Sequence, residues 1–223
     1  MTISLSRRKF FVLLTLLLVG LLFWMWPDAR WRYRNLPPRA PEPWVAFGDS
    51  LTEGYGANSG EDFPTQLGQR LGRPIRNLGI AGETSVDGLR RREQVEGLLP
   101  EVVLLCFGGN DILQGVSRDR MFANLGAMID RLQARGSFVV LIGVPGSDLL
   151  GDSNAKGFQA LARQKEVMHL PNLLDGILSQ PSLMSDYVHP NAAGCAKIAD
   201  RLEKVLRPLL ARLDARPGAP AAR

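Results

Sequence analysis

The stretch Val45-Ala-Phe-Gly-Asp-Ser-Leu-Thr-Glu-Gly54 begins with apolar residues and then breaks into a polar turn that has a glycine on either side. This pattern predicts a short buried strand that ends where a helix begins. Gly48 and Gly54 allow the backbone to turn sharply around Ser50. A serine at the start of a helix lies close to backbone N–H groups that favour negative charge, which makes Ser50 a candidate nucleophile. Asp49 and Ser50 also suit a plain helix cap, so this stretch by itself leaves both interpretations open.

Outward from this stretch, apolar runs alternate with helical sequence along the chain. Runs typical of strands occur at residues 44–48, 75–79, 102–107, 138–144 and 167–170. Helical patterns occur at residues 63–71 and 86–99, on a third segment with Phe122, Leu125, Ile129 and Leu132 on one face, and from Asn191 onward with Ile198, Leu202, Val205 and Leu206 on one face. Near-continuous apolar runs indicate strands that are buried on both faces, and therefore a parallel sheet. We therefore expect a three-layer α/β domain with a five-stranded parallel sheet.

Polar or glycine-rich sequence follows the expected strands. In open parallel sheets, ligands bind at the carboxyl ends of the strands. The relevant loops carry Ser50, then Asn77-Leu-Gly-Ile-Ala-Gly82-Glu-Thr-Ser, then Gly108-Gly-Asn-Asp111, and near the C-terminus Ser185-Asp-Tyr-Val-His-Pro190. Each loop alone is explained by turns and helix caps, formed by residues such as Gly82, Asn110, Asp111 and Asp186. Together, the loops contain every group that acyl transfer requires.

Four sequence blocks, G-D-S-L, N-x-G-x-x-G-x-T, G-G-N-D and D-x-x-H-P in this order, resemble the SGNH (GDSL-type) hydrolase family. Within that family they resemble the bacterial arylesterase and lysophospholipase/thioesterase branch. The likeness extends over about residues 44–210. It implies a flavodoxin-like sheet and a serine ester hydrolase that acts on a small ester and uses no cofactor. The residues that give the family its name fall on Ser50, Gly82, Asn110 and His189, and Asp186 completes a catalytic triad.

The same residues support an esterase mechanism on chemical grounds. His189 removes the Ser50 proton, Ser50 attacks the ester carbonyl, and Asp186 orients and stabilises the imidazole. The acyl-enzyme that forms is then hydrolysed. The backbone N–H groups of Ser50 and Gly82 and the side-chain amide of Asn110 are expected to form the oxyanion hole. Each donor contributes roughly 3 kcal/mol by analogy with known oxyanion holes.

Two other functions fit parts of the pattern. A flavodoxin-like binding module would use residues 49–52 to hold a phosphate or flavin without catalysis, but it leaves Asp186 and His189 without a role. A carbohydrate O-acetyl esterase of the cell envelope keeps the whole mechanism and changes only the substrate. Residues 145–151, after the fourth strand, are expected to form one wall of the acyl pocket, and the shortness of this loop favours short acyl groups.

The other histidine and the two cysteines do not indicate a metal site. His169 and His189 are far apart in sequence, and neither has the spacing of metal ligands. His169 lies in an apolar run without an acid nearby, so we expect it at a sheet edge or in the core. Cys106 lies in a strand-like run and Cys195 in a helical pattern, and both are expected to pack in the core because two such residues do not make a disulfide framework.

The basic charge of the chain is concentrated at its N-terminus. The 223 residues carry a formal net charge of +5, but the first 39 contain seven Arg or Lys and one acid, which leaves 20 basic and 21 acidic side chains in the rest. A nucleic-acid-binding domain would carry its basic residues on the folded part of the chain. No nucleic-acid partner is therefore expected.

An apolar segment lies between these basic residues. Residues 10–26 are seventeen uncharged residues that directly follow Arg7, Arg8 and Lys9. At roughly 1.5 Å per residue they are just long enough to span a bilayer core of about 30 Å with snorkelling arginines. We expect a single-pass anchor in the inner (cytoplasmic) membrane, with the catalytic domain facing the periplasm or the outside. A cleaved export signal is the alternative, although Pro-Asp-Ala-Arg follows the segment where a processing site would have small residues.

The sequence therefore predicts four segments. Residues 1–26 are the membrane anchor, 27–43 a linker rich in Pro and Arg, 44–211 the hydrolase domain, and 212–223 a tail rich in Pro and Ala. The five prolines of the linker favour a semi-rigid extended spacer. The composition of the tail favours disorder.

Overall fold

The fold is organised around one five-stranded sheet. A computed structural model describes residues 33–40, 43–144, 146 and 153–215. Its strands are β1 (Trp44–Gly48), β2 (Ile75–Gly79), β3 (Val102–Cys106), β4 (Phe138–Ile142) and β5 (Met168–Leu170). They are all parallel, in the order β2-β1-β3-β4-β5. The expected five-stranded parallel sheet is confirmed, and its last three strands are shorter than the apolar runs that predicted them.

Helices connect the strands, because neighbouring parallel strands need crossover connections. Within the described residues the α-helices are α1 (Ser50–Glu53), α2 (Phe63–Leu71), α3 (Ser85–Arg90), α4 (Glu93–Glu96), α5 (Gly109–Leu113), α6 (Arg118–Ala134), α7 (Ser153–Lys165), α8 (Ala192–Leu206) and α9 (Leu210–Asp214). Short 3-10 helices lie at Pro181–Leu183 and Arg207–Leu209. Polar caps begin the long helices: the side chains of Asp62, Ser117 and Asn191 accept hydrogen bonds from first-turn N–H groups of α2, α6 and α8.

Two hydrophobic cores cover the two faces of the sheet. Alternate side chains of a strand point to opposite faces, so Trp44 and Ala46 pack in the core that contains α2 and α8. Val45 and Phe47 pack in the core that contains α6 and α7. Every residue of β1, β3 and β4 is buried, which is the physical reason for their continuous apolar sequence. The result is the expected three-layer α/β/α arrangement.

The prediction of a single helix over residues 86–99 is wrong. The chain forms α3 and α4 instead, with a break at Arg91 and Arg92. At the break the Arg91 side chain turns toward the strand ends and donates hydrogen bonds to the carbonyl oxygens of Gly48 and Leu78. Helical periodicity does not report this contact, because the acceptors belong to β1 and β2.

Residues 33–40 pack on the folded domain, so this part of the predicted linker is not an extended spacer; residues 27–32 and 41–42 lie outside the described residues. The Asn35 side chain donates hydrogen bonds to the carbonyl oxygens of Gln133 at 2.8 Å and Ser137 at 3.0 Å. These acceptors lie at the end of α6 and just before β4. A composition rich in Pro and Arg indicates poor local structure, but it does not show that carbonyl groups of neighbouring elements are placed to accept hydrogen bonds.

The described residues continue past residue 211, where the hydrolase domain was predicted to end. Part of the tail predicted at residues 212–223 is ordered, because α9 continues to Asp214 and buries Leu213. Residues 216–223 lie outside the described residues, as does the membrane segment predicted at residues 10–26. Across the parts of the chain that the structure describes, no helix has the length and apolar character needed to cross a bilayer.

Candidate active site

Ser50 lies where β1 ends and α1 begins. Asp49 is the N-cap of α1, and its Oδ1 accepts a hydrogen bond from the Leu51 N–H at 3.1 Å. Gly54 ends the helix in the left-handed conformation, with a φ of 91°, and its N–H donates to the Ser50 carbonyl oxygen at 3.0 Å. These contacts hold Ser50 at the carboxyl edge of the sheet, where 7% of its surface is exposed.

Asp186 and His189 are joined in a tight turn before α8. Asp186 Oδ1 accepts hydrogen bonds from the backbone N–H groups of Val188 and His189, both at 2.8 Å. Asp186 Oδ2 lies 2.7 Å from His189 Nδ1. The bond to the His189 ring, followed by the bond from the Val188 N–H, lowers the pKa of Asp186 to about 2. The carboxylate is therefore ionised at neutral pH, and because it only accepts hydrogen bonds, His189 Nδ1 carries a proton.

The other ring nitrogen of His189 faces Ser50. His189 Nε2 lies 3.0 Å from Ser50 Oγ. With the proton of the neutral ring on Nδ1, Nε2 has a lone pair that can accept the Ser50 hydroxyl proton. The Tyr55 ring packs against the imidazole, with the ring centroids 4.6 Å apart. The structure thus brings Ser50, His189 and Asp186 into one chain of hydrogen bonds, an arrangement that suits a serine nucleophile beside its general base.

Helix α5, which carries Asn110, is hydrogen-bonded to the loop after β2, which carries Gly82. Asn110, in α5, donates from Nδ2 to the Glu83 carbonyl oxygen at 2.9 Å, and Gln114 Nε2 donates to the Gly82 carbonyl oxygen at 2.9 Å. An amide group has two N–H donors, so this bond leaves Asn110 with a second one. Asn110 lines the cleft beside Ser50, whereas Gly82 is exposed and is absent from the described lining of that cleft. The role of Gly82 stays a prediction.

A cleft of about 380 Å³ opens beside Ser50. Its described lining combines the polar residues Asp49, Ser50, Asn110 and His189 with the apolar side chains of Leu51, Ile112, Leu113, Val144, Leu174, Leu178 and Val188. Gly146, from the loop expected to form a pocket wall, also lines the cleft, and the other residues at 145–151 lie outside the described residues. An apolar cleft beside a nucleophile suits a substrate with an apolar acyl or aryl group.

Two buried carboxyl groups near Ser50 were not singled out by sequence reasoning. Asp49 is 1% exposed, and burial raises its pKa to about 7, with smaller contributions from the negative charges of Asp111 and Glu83. Asp111 is fully buried and accepts hydrogen bonds from the Ser85 N–H at 2.8 Å and the Ser85 hydroxyl at 2.5 Å. In the sequence both residues resemble ordinary helix caps, so only their burial distinguishes them.

Arg91 is a third residue that sequence reasoning missed. Its side chain is 10% exposed, and its Nε lies 2.5 Å from Glu83 Oε2. The sequence places it between Arg90 and Arg92 in a helical pattern, where nothing marks the central arginine as buried. Only the position of α3 against the strand ends reveals it.

The remaining histidine and the cysteines lie where they were expected. His169 is in β5, the edge strand, and its ring stacks on Phe158 with centroids 6.3 Å apart. Cys106 and Cys195 are both buried and have free thiols. Among the residues that the structure describes, no three His, Cys, Asp or Glu side chains are grouped as metal ligands would be.

The chain matches the model of the GDSL-like Lipase/Acylhydrolase family over residues 46–197. It is 28% identical over 185 residues to Esterase TesA from Pseudomonas aeruginosa, which covers 77% of this chain and 90% of that protein. It is 29% identical over 182 residues to Thioesterase 1/protease 1/lysophospholipase L1 from Escherichia coli (strain K12), which covers 77% of this chain and 86% of that protein. The crystal structure of TesA superposes with a TM-score of 0.70 at 26% identity, over 75% of this chain and 99% of that one. Since the family model covers more than half of the chain, the chain belongs to the GDSL-like Lipase/Acylhydrolase family and is a serine ester hydrolase of the SGNH type.

Proposed function

We propose that the protein hydrolyses carboxylic esters through an acyl-enzyme formed on Ser50. The observation that carries this proposal is the chain of hydrogen bonds from Ser50 through His189 to Asp186, at the edge of an apolar cleft. His189 Nε2 takes the Ser50 proton while Oγ attacks the ester carbonyl. Asp186 stabilises the imidazolium that results. His189 then gives the proton to the leaving alcohol. In the second half, His189 takes a proton from a water molecule that attacks the acyl carbonyl, and returns it to Ser50 Oγ as the bond to Ser50 breaks and the carboxylic acid leaves.

The negative charge that develops on the carbonyl oxygen needs hydrogen-bond donors. We assign this role to the backbone N–H groups of Ser50 and Gly82 and to the free N–H of the Asn110 side chain. The tie between Asn110 and the loop that contains Gly82 supports the assignment, because it holds two of the three donors in one unit. Each donor is expected to stabilise the transition state by roughly 3 kcal/mol.

The substrate class follows from the cleft. Its apolar lining favours an apolar acyl or aryl group over a sugar acetate. We therefore propose that the substrates are esters with an apolar acyl chain or an aryl leaving group. One relative is named as a thioesterase and lysophospholipase, which extends the proposal to thioesters and lysophospholipids. The alternative function, removal of O-acetyl groups from envelope polysaccharide, is distinguished by the test below.

The test is an assay of the purified full-length protein in detergent. Nitrophenyl esters of graded acyl length, an acyl-CoA, a lysophospholipid and an acetylated sugar are compared side by side. Wild-type protein is expected to hydrolyse the nitrophenyl esters and to react with a fluorophosphonate, and Ser50→Ala is expected to lose both reactions. Activity on the acetylated sugar alone would replace the proposed substrate class, and turnover by folded Ser50→Ala would remove Ser50 from the mechanism.

We also propose that residues 10–26 anchor the protein in the cytoplasmic membrane, with Arg7, Arg8 and Lys9 on the cytoplasmic side and the hydrolase domain on the other side. The length of the uncharged run supports the anchor. The basic cluster directly before the run supports the orientation, although Arg30, Arg32 and Arg34 follow it on the other side. A phosphatase active only outside the cytoplasm and a fluorescent protein active only inside, each fused after Arg223, test it. Activity of the cytoplasmic reporter alone reverses the orientation, and a soluble product lacking about 30 N-terminal residues shows an export signal that is cleaved.

A further inference from the structure

Arg91 lies at the carboxyl edge of the sheet, behind the loops that carry the proposed chemistry. Its Nη2 donates hydrogen bonds to the carbonyl oxygens of Leu78 at 2.9 Å and Gly48 at 3.1 Å. Its Nε donates to Glu83 Oε2, and its guanidinium lies 4.4 Å from the centre of the Phe47 ring. One side chain therefore holds the ends of β1 and β2 and the loop after β2 at the same time.

The acceptors of Arg91 are directly connected to the proposed oxyanion hole. Gly48 precedes the Asp49–Ser50 turn, so a hydrogen bond to its carbonyl oxygen fixes the start of that turn. Glu83 follows Gly82, and its own carbonyl oxygen accepts the Asn110 amide at 2.9 Å. The Ser50 N–H is thus two residues from Gly48, the Gly82 N–H is one residue from Glu83, and the Asn110 amide is hydrogen-bonded to the Glu83 backbone.

The charges around Arg91 make this contact difficult to replace. Glu83 has a side chain that is 17% exposed, and the negative charges of Glu83 and Asp111 both raise the pKa of the buried Asp49. A guanidinium is planar and has several N–H donors in fixed directions, so it can neutralise Glu83 and bind two carbonyl oxygens together. A lysine keeps the charge, but its compact ammonium group does not reproduce this geometry.

We propose that Arg91 is a positioning residue that holds the Ser50 turn and the Gly82–Glu83 loop in register, so that their N–H groups and the Asn110 amide converge on one oxygen atom. The proposal rests on the function proposed above. Arg91 is not placed to touch the substrate or the reacting atoms. Its contribution is to hold the oxyanion-hole donors in fixed positions. A displacement of about 1 Å in a catalytic group can lower a rate by about 100-fold.

The test compares Arg91→Lys with Arg90→Lys, the same substitution at the neighbouring residue. The Arg90 side chain is 75% exposed and pairs with Asp87 on the surface. We expect Arg91→Lys to lower kcat on a nitrophenyl ester by about 10- to 100-fold with little change in KM. Affinity for a trifluoromethyl ketone, which forms the tetrahedral adduct, should fall by the same factor as kcat/KM. Arg90→Lys should leave kcat, KM and this affinity unchanged.

A second comparison separates positioning from a purely structural role. Asn110→Ala should lower kcat by about 10²- to 10³-fold, because it removes one donor from the oxyanion hole. In the double variant with Arg91→Lys the two losses should be less than multiplicative, since both substitutions act on the same set of donors. Fully multiplicative losses, or a folded Arg91→Lys with the kcat of the wild type, would overturn the proposal.

The failure of this inference differs from the failure of the proposed function. If wild-type protein does not hydrolyse esters, the proposed function fails; if it does and Arg91→Lys is unaffected, only the positioning role fails. Should Arg91→Lys not fold, Glu83→Gln takes its place, because it weakens the same contact without a change in volume. Arg91 keeps its hydrogen bonds to Gly48 and Leu78 in this variant, so an unchanged kcat in folded Glu83→Gln would reject its hold on the Gly82–Glu83 loop, which the proposal requires.

Discussion

His189 and His169 have opposite surroundings in this protein. Both ring nitrogens of His189 face polar partners, Asp186 on one side and Ser50 on the other. His169 Nε2 is buried, and no described residue forms a hydrogen bond with it. Burial lowers the pKa of His169 to about 4, so its ring is neutral at physiological pH. His169 is therefore suited to packing, and His189 to proton transfer.

We expect His189→Ala to lower kcat by several orders of magnitude, because Ser50 loses its general base. His169→Ala should keep kcat and change only the melting temperature. Asp186→Ala should be less severe than His189→Ala, since a neutral imidazole still accepts a proton without its orienting carboxylate. Nitrophenyl acetate hydrolysis and circular dichroism of the three variants provide the measurement. A folded but inactive His169→Ala beside an active His189→Ala would contradict the assignment.

The raised pKa of Asp49 makes the stability of the folded protein depend on pH. Its pKa is raised from 3.8 to about 7, mainly by burial, so the folded protein keeps a proton that the unfolded chain releases between these values. The folded state therefore binds more protons than the unfolded state, and this group makes the free energy of unfolding fall as pH rises from about 4 to 7. The difference in pKa corresponds to roughly 4 kcal/mol.

Asp49→Asn should remove this dependence, because the amide keeps an oxygen for the Leu51 N–H and does not ionise. Urea unfolding of both proteins at several pH values between about 4 and 8 gives the two curves. We expect the wild type to lose stability relative to the variant as pH rises through this range. Parallel curves would show that Asp49 is ionised in the folded protein at low pH.

At the scale of single elements, α1 depends on a close approach between the end of β1 and the helix that follows it. A Cβ at Gly48 would lie 2.1 Å from Thr52 Oγ1 and 2.3 Å from the Cys106 carbonyl oxygen. The second of these atoms belongs to the backbone of β3, so it has no freedom to move away. The position of Ser50 over the sheet edge therefore requires a residue without a side chain at 48.

Gly48→Ala should lower the free energy of unfolding by about 3 kcal/mol or more, and should lower activity because α1 is displaced. Gly126→Ala is the matched control. Gly126 lies inside α6, where a Cβ would make ordinary contacts of 3.4 Å with Lys165 and 3.5 Å with Leu161, so alanine should raise stability by about 0.5–1 kcal/mol. Urea unfolding and ester hydrolysis are measured for both variants. If Gly48→Ala and Gly126→Ala change stability and activity equally, the clash at residue 48 is relieved without cost.

At the scale of the whole molecule, the strand order assembles the site. β1 lies between β2 and β3, so the loops that carry Gly82 and Asn110 flank Ser50 on its two sides. Asp186 and His189 are more than a hundred residues further along the chain and reach Ser50 in the turn before α8. Residues 33–40 pack near the opposite edge, where β4 begins, and there the Tyr33 ring meets the Phe138 ring edge to face at 6.0 Å.

The sequence by itself determined the three-layer fold, because strands buried on both faces must be continuously apolar and amphipathic helices must cover them. It also predicted that Asn110 lies beside Ser50, since polar blocks that follow parallel strands end at one edge of the sheet, and that Asp186 and His189 join them, through the family's sequence blocks. Only the tertiary structure decided the break between α3 and α4, the ordered segment at residues 33–40, and the burial of Asp49 and Arg91. The physical reason is that periodicity reports how a residue sits in its own element. Burial of an ionisable side chain depends instead on carbonyl groups and charges that other elements supply, and these become neighbours only when the chain is folded.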